Sequence, residues 1–304
     1  MSYQLERGED IGKTLRRICR KQIEAAIAAA SGERECASSS VWETRKHIKR
    51  ARAILQLGQA VADRYAAFEA PEKTLREAGR LISGIRDAEV RLDTMRQLHS
   101  AGTPRFAEVE AMLTMELNNF VAALAQWQTE TIPLLEKARA AIADAAFERL
   151  GCDEVCTSVR HSYKRACKAL AEARKKLTPE CAHRLRRRVK TLCFQLRIVR
   201  PANPIVLKKL SDELGCVASL LGRAHDLNFL GERLCSAQTK ERWSREALQL
   251  LPSVQMTEAD LQTSALELAE HFFAESTGDF AQRIGNALRK WQNCKHRSLA
   301  EQLI

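Results

Sequence analysis

Along residues 41–55, Val41-Trp-Glu-Thr-Arg-Lys-His-Ile-Lys-Arg-Ala-Arg-Ala-Ile-Leu55, apolar positions return at helical spacing. At roughly 100° per residue, Val41, Ile48, Ala51, Ile54 and Leu55 gather on one arc, and Arg45, Lys46, Lys49, Arg50 and Arg52 fill most of the opposite one. The segment reads as a helix with an apolar back and a cationic front. Like charges on one helical face repel, so that face is either solvated or opposed by an anion.

The same periodicity divides the preceding and following residues. Residues 8–30 carry Ile11, Leu15, Ile18 and Ile27 in register, with Arg16, Arg20 and Lys21 beside them, and form a first helix. Ser31-Gly32 and Ser38-Ser39-Ser40 predict a loop and a cap for the next helix, which the pattern extends to about Phe68. Pro71 predicts the start of a third helix, with Leu75, Leu81, Ile82, Ile85 and Leu92 as its buried stripe. A fourth helical region runs from Pro104 to about Leu150, bent or interrupted at Pro133. Four helices without strand-like alternation predict a bundle.

Gly151 resets the pattern. From Val159 onward, Arg160, Lys164 and Lys168 stand four apart, one above the other on a helix, with Arg165 next to this row. Lys175-Lys176-Leu-Thr-Pro179 closes that helix, and Thr178-Pro179 starts another. In this one, Leu185, Val189, Leu192, Leu196 and Val199 oppose His183, Arg186, Arg187, Lys190 and Arg197.

An offset of 141 positions lays Arg45 on Arg186, Lys46 on Arg187, Ile48 on Val189, Lys49 on Lys190 and Leu55 on Leu196. Further on, residues 220–230 parallel residues 81–91, so that His225-Asp226 falls on Arg86-Asp87. A repeat of this length is a duplicated supersecondary unit rather than a solenoid period. The expected fold is all-α: two four-helix bundles, residues 1–150 and 151–304, related by a pseudo-two-fold axis around a basic cavity. The tail, from Thr257 through Phe272-Phe273 to Trp291, completes the second bundle.

Composition agrees with helices: 13 glycines and 7 prolines among 304 residues, with 5% aromatics. A net charge of +11 and a sequence pI near 9.3 point to a polyanionic partner: nucleic acid, an anionic membrane surface or a phosphate polymer. No apolar run reaches membrane-spanning length and residues 1–10 are polar and acidic rather than signal-like, which predicts a cytoplasmic protein that does not enter membranes. The ten cysteines are expected as reduced thiols. Cys152 and Cys156 stand four apart without a ligand-spaced His or acid nearby, and read as small buried hydrophobes rather than a metal site. Phosphate-loop, nucleophile-elbow, zincin and zinc-finger patterns do not occur in the sequence, and the expectation is a protein with neither enzymatic activity nor cofactor.

Brought face to face, the two cationic helices would line a channel. Arg16, Arg20, Arg160, Lys164 and Lys168 are expected to line the same space, and Arg86 and His225 to occupy equivalent points. Arginine forks and lysine point charges in such number suit many phosphates in a row. Asp87 and Asp226 read as acids that orient these cations or cap a turn rather than as a catalytic pair, and His183 and His225 as phosphate donors, metal ligands or partly buried structural residues.

The order of Trp42-x-x-Arg45-Lys46-x-x-Lys49-Arg50-x-Arg52, Arg86-Asp87, Tyr163-Lys-Arg165, His183-x-x-Arg186-Arg187-x-x-Lys190 and His225-Asp226 resembles the CHAD domain, the conserved histidine α-helical domain, from about Leu5 to Trp291. The resemblance implies two four-helix bundles with a basic cavity that binds inorganic polyphosphate, often at polyphosphate granules. Metal chelation by the family's histidines is the older expectation. Trp42 stands where the second motif has His183, which removes a symmetrical pair of histidine ligands; its indole N–H can still donate one hydrogen bond. Family members are also fused to triphosphate-tunnel domains; an acidic, strand-rich segment of that kind is not evident here, so a polyphosphate-metabolising partner is expected to be a separate protein. Two other readings stand beside polyphosphate binding. A nucleic-acid-binding protein follows from the charge alone, with no specific sequence expected. A metal-dependent phosphoanhydride hydrolase would need clustered carboxylates, which the basic helices do not offer.

Overall fold

The structure, a computed structural model, describes residues 3–32, 37–59, 65–98, 106–122, 124–237 and 244–301. Among them are eleven α-helices and no strand: α1 (Ile11–Ala30), α2 (Ala37–Gln59), α3 (Tyr65–Leu81), α4 (Ser83–Leu98), α5 (Ala107–Ala122), α6 (Leu124–Ala141), α7 (Cys152–Lys175), α8 (Pro179–Val199), α9 (Pro204–Ala237), α10 (Ser244–Phe272) and α11 (Thr277–Glu301). The all-α class is as the sequence predicts. None of the described helices is long and apolar enough to cross a membrane.

The helix starts have local causes. Asp10 accepts from the Lys13 amide at 3.1 Å and caps α1. Thr178 accepts from the Cys181 amide at 3.3 Å, with Pro179 in the first turn of α8, as the sequence predicts. Other boundaries differ from the sequence reading. Ser38-Ser39-Ser40 lie within α2 rather than in a loop before it. α3 begins at Tyr65, ahead of Pro71, because Phe68, Leu75 and Ala78 form one fully buried stripe that continues through the proline. The long third helix is two helices, broken at Ile82; Leu81 faces solvent, and the Ser83 hydroxyl donates to the Arg80 carbonyl at 2.7 Å across the break. Pro133 does not interrupt α6, which runs through it. Its loss of one hydrogen bond is offset by burial of Trp127, Thr131, Leu135 and Ala138 on one face. Pro104 lies outside the described residues.

The predicted apolar backs are the core. Val41, Ile48, Ala51, Ile54 and Leu55 of α2 and Leu185, Val189, Leu192, Leu196 and Val199 of α8 are all buried, while Ile27 of α1 is only partly so, its place taken by Ile23 and Ala26. One core joins α1, α2, α3, α6, α7 and α8 to the first half of α9 and to parts of α10 and α11. A second, smaller core joins Leu92 and Met95 of α4 and Val109, Met112 and Leu113 of α5 to Leu227, Leu230 and Leu234 of α9 and Val254 of α10. Both cores therefore contain residues from each side of Gly151. The buried Ser158 hydroxyl of α7 donates to the Leu57 carbonyl of α2, a further tie across the chain. With 34 residues and a length of roughly 50 Å, α9 runs through both cores, as do α4 and α10.

Gly12 has a packing role that a side chain would destroy. A Cβ there would lie 1.9 Å from the Phe147 carbonyl oxygen of the turn at Phe147–Arg149. Gly12→Ala is expected to lower stability by about 2 kcal/mol, read as a lower midpoint of urea unfolding; an unchanged midpoint would contradict this close approach.

Candidate functional site: a cationic cleft

α2 packs against α8 and α4 against α9, and a cleft of about 470 Å³ opens among these four helices. Trp42, Arg45, Lys46 and Lys49 reach it from α2; Arg86, Asp87 and Val90 from α4; Arg186, Lys190, Cys193, Phe194 and Arg197 from α8. From α9 come Gly215, Ala218, Ser219 and Gly222, then Arg223, His225, Asp226 and Phe229. Eight Lys and Arg side chains thus face two Asp.

Few of these charges are neutralised. Lys46 pairs with Glu43 at 2.7 Å, Arg86 with Glu89 at 3.1 Å, and Arg186 reaches Asp226 only at 3.9 Å. Among the described residues, Arg45, Lys49, Lys190, Arg197 and Arg223 have no carboxylate within ion-pair distance. The Arg186 Nε is enclosed without a hydrogen-bond acceptor, and Arg45 donates to the Gly79 carbonyl at 3.4 Å.

The electrostatic cost shows in the lysines. Lys49 is open to cleft water but ringed by protein; desolvation first, then the charges of Arg45, Lys190 and Arg186, push its pKa down to about 7. Lys190 is pushed down to about 8 by desolvation and Arg186. Burial also lowers Arg45 and Arg186, against the pull of Asp87 on the first and Asp226 on the second. Asp87 is itself raised by burial, although Arg45 opposes this.

The histidines form a pair at the edge of the cleft. His183 and His225 have ring centroids 4.9 Å apart, and His225 stacks on Phe229 at 4.6 Å with its Nδ1 3.5 Å from Asp226. Burial, His225 and Arg187 push His183 down to about 4, so its ring is neutral at physiological pH. Among the described residues no group of three or more His, Cys, Asp or Glu is placed to hold a metal ion. Trp42 does not mimic His183: its ring is 45% exposed at the rim, with the Lys46 ammonium 4.3 Å from its centroid. Cys152 donates to Gln292 at 2.8 Å and Cys156 to the Ala281 carbonyl at 3.2 Å; burial raises both thiols, Cys152 to about 11.

Several cations expected at the site lie elsewhere. Arg16 donates to the Ala145 carbonyl and pairs with Glu148, and exposed Arg20 pairs with Glu24. Arg50 packs over the Tyr3 ring at 5.3 Å, and Arg52 is engaged by buried Glu72 at 2.7 Å. Arg187 is exposed beside the cleft. Arg160, Lys164, Arg165 and Lys168 are on the solvent side of α7, because the stripe of Val155, Val159, Tyr163, Ala166 and Ala173 turns the other side inward. Tyr163 fixes that rotation by stacking on Phe280 at 4.0 Å and donating to the Glu275 carbonyl at 2.8 Å.

Sequence reasoning missed Arg223 and the small-residue face of α9. The signal was present: Gly215, Ala218, Ser219 and Gly222 follow the helical spacing i, i+3, i+4, i+7. They leave room for guanidinium groups. A Cβ on Gly215 would meet Arg197 at 3.5 Å, and one on Gly222 would meet Arg186 at 3.7 Å.

A family model described as the CHAD domain matches residues 17–235, which include every side chain lining the cleft. The chain belongs to the CHAD family. The crystal structure of the CHAD domain from the plant Ricinus communis has the same fold: TM-score 0.64 and 18% identity, over 91% of this chain and 96% of that one. No curated protein matches. α10 and α11 of this CHAD chain lie beyond the residues matched by the family model, yet both contribute to its core.

The depressed lysines have a consequence for stability. Between a folded pKa of about 7 or 8 and the ordinary lysine value, the unfolded chain binds more protons than the folded one. Stability therefore rises with pH across that window, and the penalty is greatest below it. Lys49→Met with Lys190→Met is expected to stabilise the ligand-free protein at pH 7 by about 1 kcal/mol, cleft water screening the rest. The gain should shrink as the pH approaches 10 in thermal unfolding; a loss of stability at pH 7 would contradict the repulsion.

Proposed function

We propose that this CHAD protein binds inorganic polyphosphate in the cationic cleft, without catalysing its turnover. The observation that carries the reading is the opposition of Arg45 and Lys49 to Arg186, Lys190 and Arg197, five cations with one acid at 3.9 Å among them. The row from Arg186 to Arg197 extends roughly 16 Å along α8, long enough for several phosphates in succession. The CHAD family's association with polyphosphate supports the same ligand.

A nucleic acid is less well served. Three aromatic residues line the cleft, but Phe229 already stacks on His225 and Phe194 meets Tyr3 edge-on at 6.3 Å, which leaves Trp42 as the exposed ring for base stacking. Other phosphate polyanions can compete for the same charges. Residence in the cytoplasm, at polyphosphate granules and alongside separate polyphosphate-metabolising enzymes, belongs to this proposal.

Long-chain polyphosphate should bind at low salt and lose affinity with a slope of about −3 to −4 in log K against log salt. Reversing Arg45, Lys49, Arg186 and Lys190 to Glu should abolish binding, while phosphate release should stay at background with magnesium or manganese. Absence of binding by the wild type, unchanged binding by the variant, or sustained phosphate release would each overturn the proposal.

A further inference from the structure

Outside the cleft, the strongest unexplained feature is a second group of cations on the outer surface of α7 and α8. Arg160, Lys164, Arg165 and Lys168 are exposed on one side of α7, and the row from Arg160 to Lys168 spans roughly 12 Å. Next to it, half-buried Arg188 of α8 is held below its ordinary value by burial, then by the charges of Arg165 and Arg184. Exposed Arg187 is likewise lowered by burial and by Arg188, Arg184, Arg52 and Arg76.

Apart from exposed Glu180 at the start of α8, the acids nearby are already engaged. Glu172 pairs with Arg184 at 2.6 Å, Glu270 with Arg174, and Glu72 with Arg52 and Arg76. Among the described residues, Arg160, Lys164, Lys168, Arg187 and Arg188 have no ion-pair partner. Like charges gathered in this way favour an anion across the surface.

α8 links this surface to the cleft: Arg186 lines the cleft, the next two residues, exposed Arg187 and half-buried Arg188, do not, and α8 packs against α7. His183 lies in the combined field of Lys49 and Arg186, which line the cleft, and of Arg187, which does not. The cations thus run from Lys49 and Arg186 past neutral His183 to Arg187, then across Arg188 and Arg165 to the α7 row.

We infer that the outer surface of α7 and α8 is a second polyphosphate-binding segment, which engages the part of a long chain that extends out of the cleft past His183. The inference rests on the proposed ligand of the cleft. It makes affinity depend on chain length: short polyphosphate needs the cleft alone, and long polyphosphate uses both segments. The added contacts are intramolecular once the cleft is filled, so they strengthen binding without a second encounter.

The test compares tripolyphosphate with long-chain polyphosphate on the full chain, in titrations at several salt concentrations. Lys164→Glu, Lys168→Glu and Arg188→Glu together should weaken long-chain binding about tenfold or more and flatten its salt dependence. Tripolyphosphate binding should be unchanged, which also reports that the cleft is folded. A charge-matched reversal of exposed Lys13, Lys73 and Lys137, none of which lines the cleft or this surface, should leave long-chain affinity near wild type. Equal weakening by both triple variants, or none by the α7–α8 variant, would overturn the second segment while the cleft stands. Failure of wild type to bind either polymer would overturn the cleft and the inference together.

Discussion

Two helices that repel each other across a water-filled gap are the central constraint of this fold. α2 and α8 present Arg45, Lys49, Arg186 and Lys190 to one cleft, and the cost is visible in lysines pushed down to about 7 and 8. Their backs hold them there. Ile48, Ala51, Ile54 and Leu55 on one side, and Leu185, Val189, Leu192 and Leu196 on the other, are buried in the same core. Each fully buried aliphatic side chain contributes about 1.5–3 kcal/mol, so the packed backs outweigh the repelling fronts. The cleft is a site in which strain is offset by packing, which is the arrangement expected where function requires a locally unfavourable structure.

α9 sets the shape of that gap. Its first half belongs to the larger core and its second half to the smaller one. On the side facing the cleft, Gly215, Ala218, Ser219 and Gly222 keep the wall low where the side chains of Arg186 and Arg197 lie against it. Farther along, Arg223, His225 and Asp226 restore polar groups, and Asp226 is the acid that comes within 4 Å of Arg186. Small residues, then charges, on one helix face turn a packing surface into a lining.

Much of this was legible in the sequence because helical periodicity reports burial directly. The ten apolar positions assigned to α2 and α8 are all buried, and the offset that laid Arg45 on Arg186 and Lys49 on Lys190 picked out residues that share the cleft. Boundaries were less legible. Pro71 and Pro133 look like breaks, but tertiary packing carries the helix through them, whereas the chain breaks at Ile82, inside what the periodicity reads as one helix. Rotation about a helix axis was the other gap. The row Arg160, Lys164, Lys168 has the same spacing as a lining would, and only the burial of Tyr163 against Phe280 decides that it faces outward. Nor does charge reveal its own partner: Arg52 looks equivalent to Lys49 in sequence, yet Glu72 engages the first and nothing within ion-pair distance among the described residues engages the second.

If unpaired cations in the cleft await a polyanion, filling the cleft must return protons to the lysines. Titration calorimetry with polyphosphate at pH 8, repeated in buffers of different ionisation enthalpy, measures that directly. Uptake of about one proton per site is the expected result, because Lys49 at about 7 and Lys190 at about 8 are partly neutral before binding and charged against phosphate. Binding with no proton uptake, or with proton release, would contradict the account.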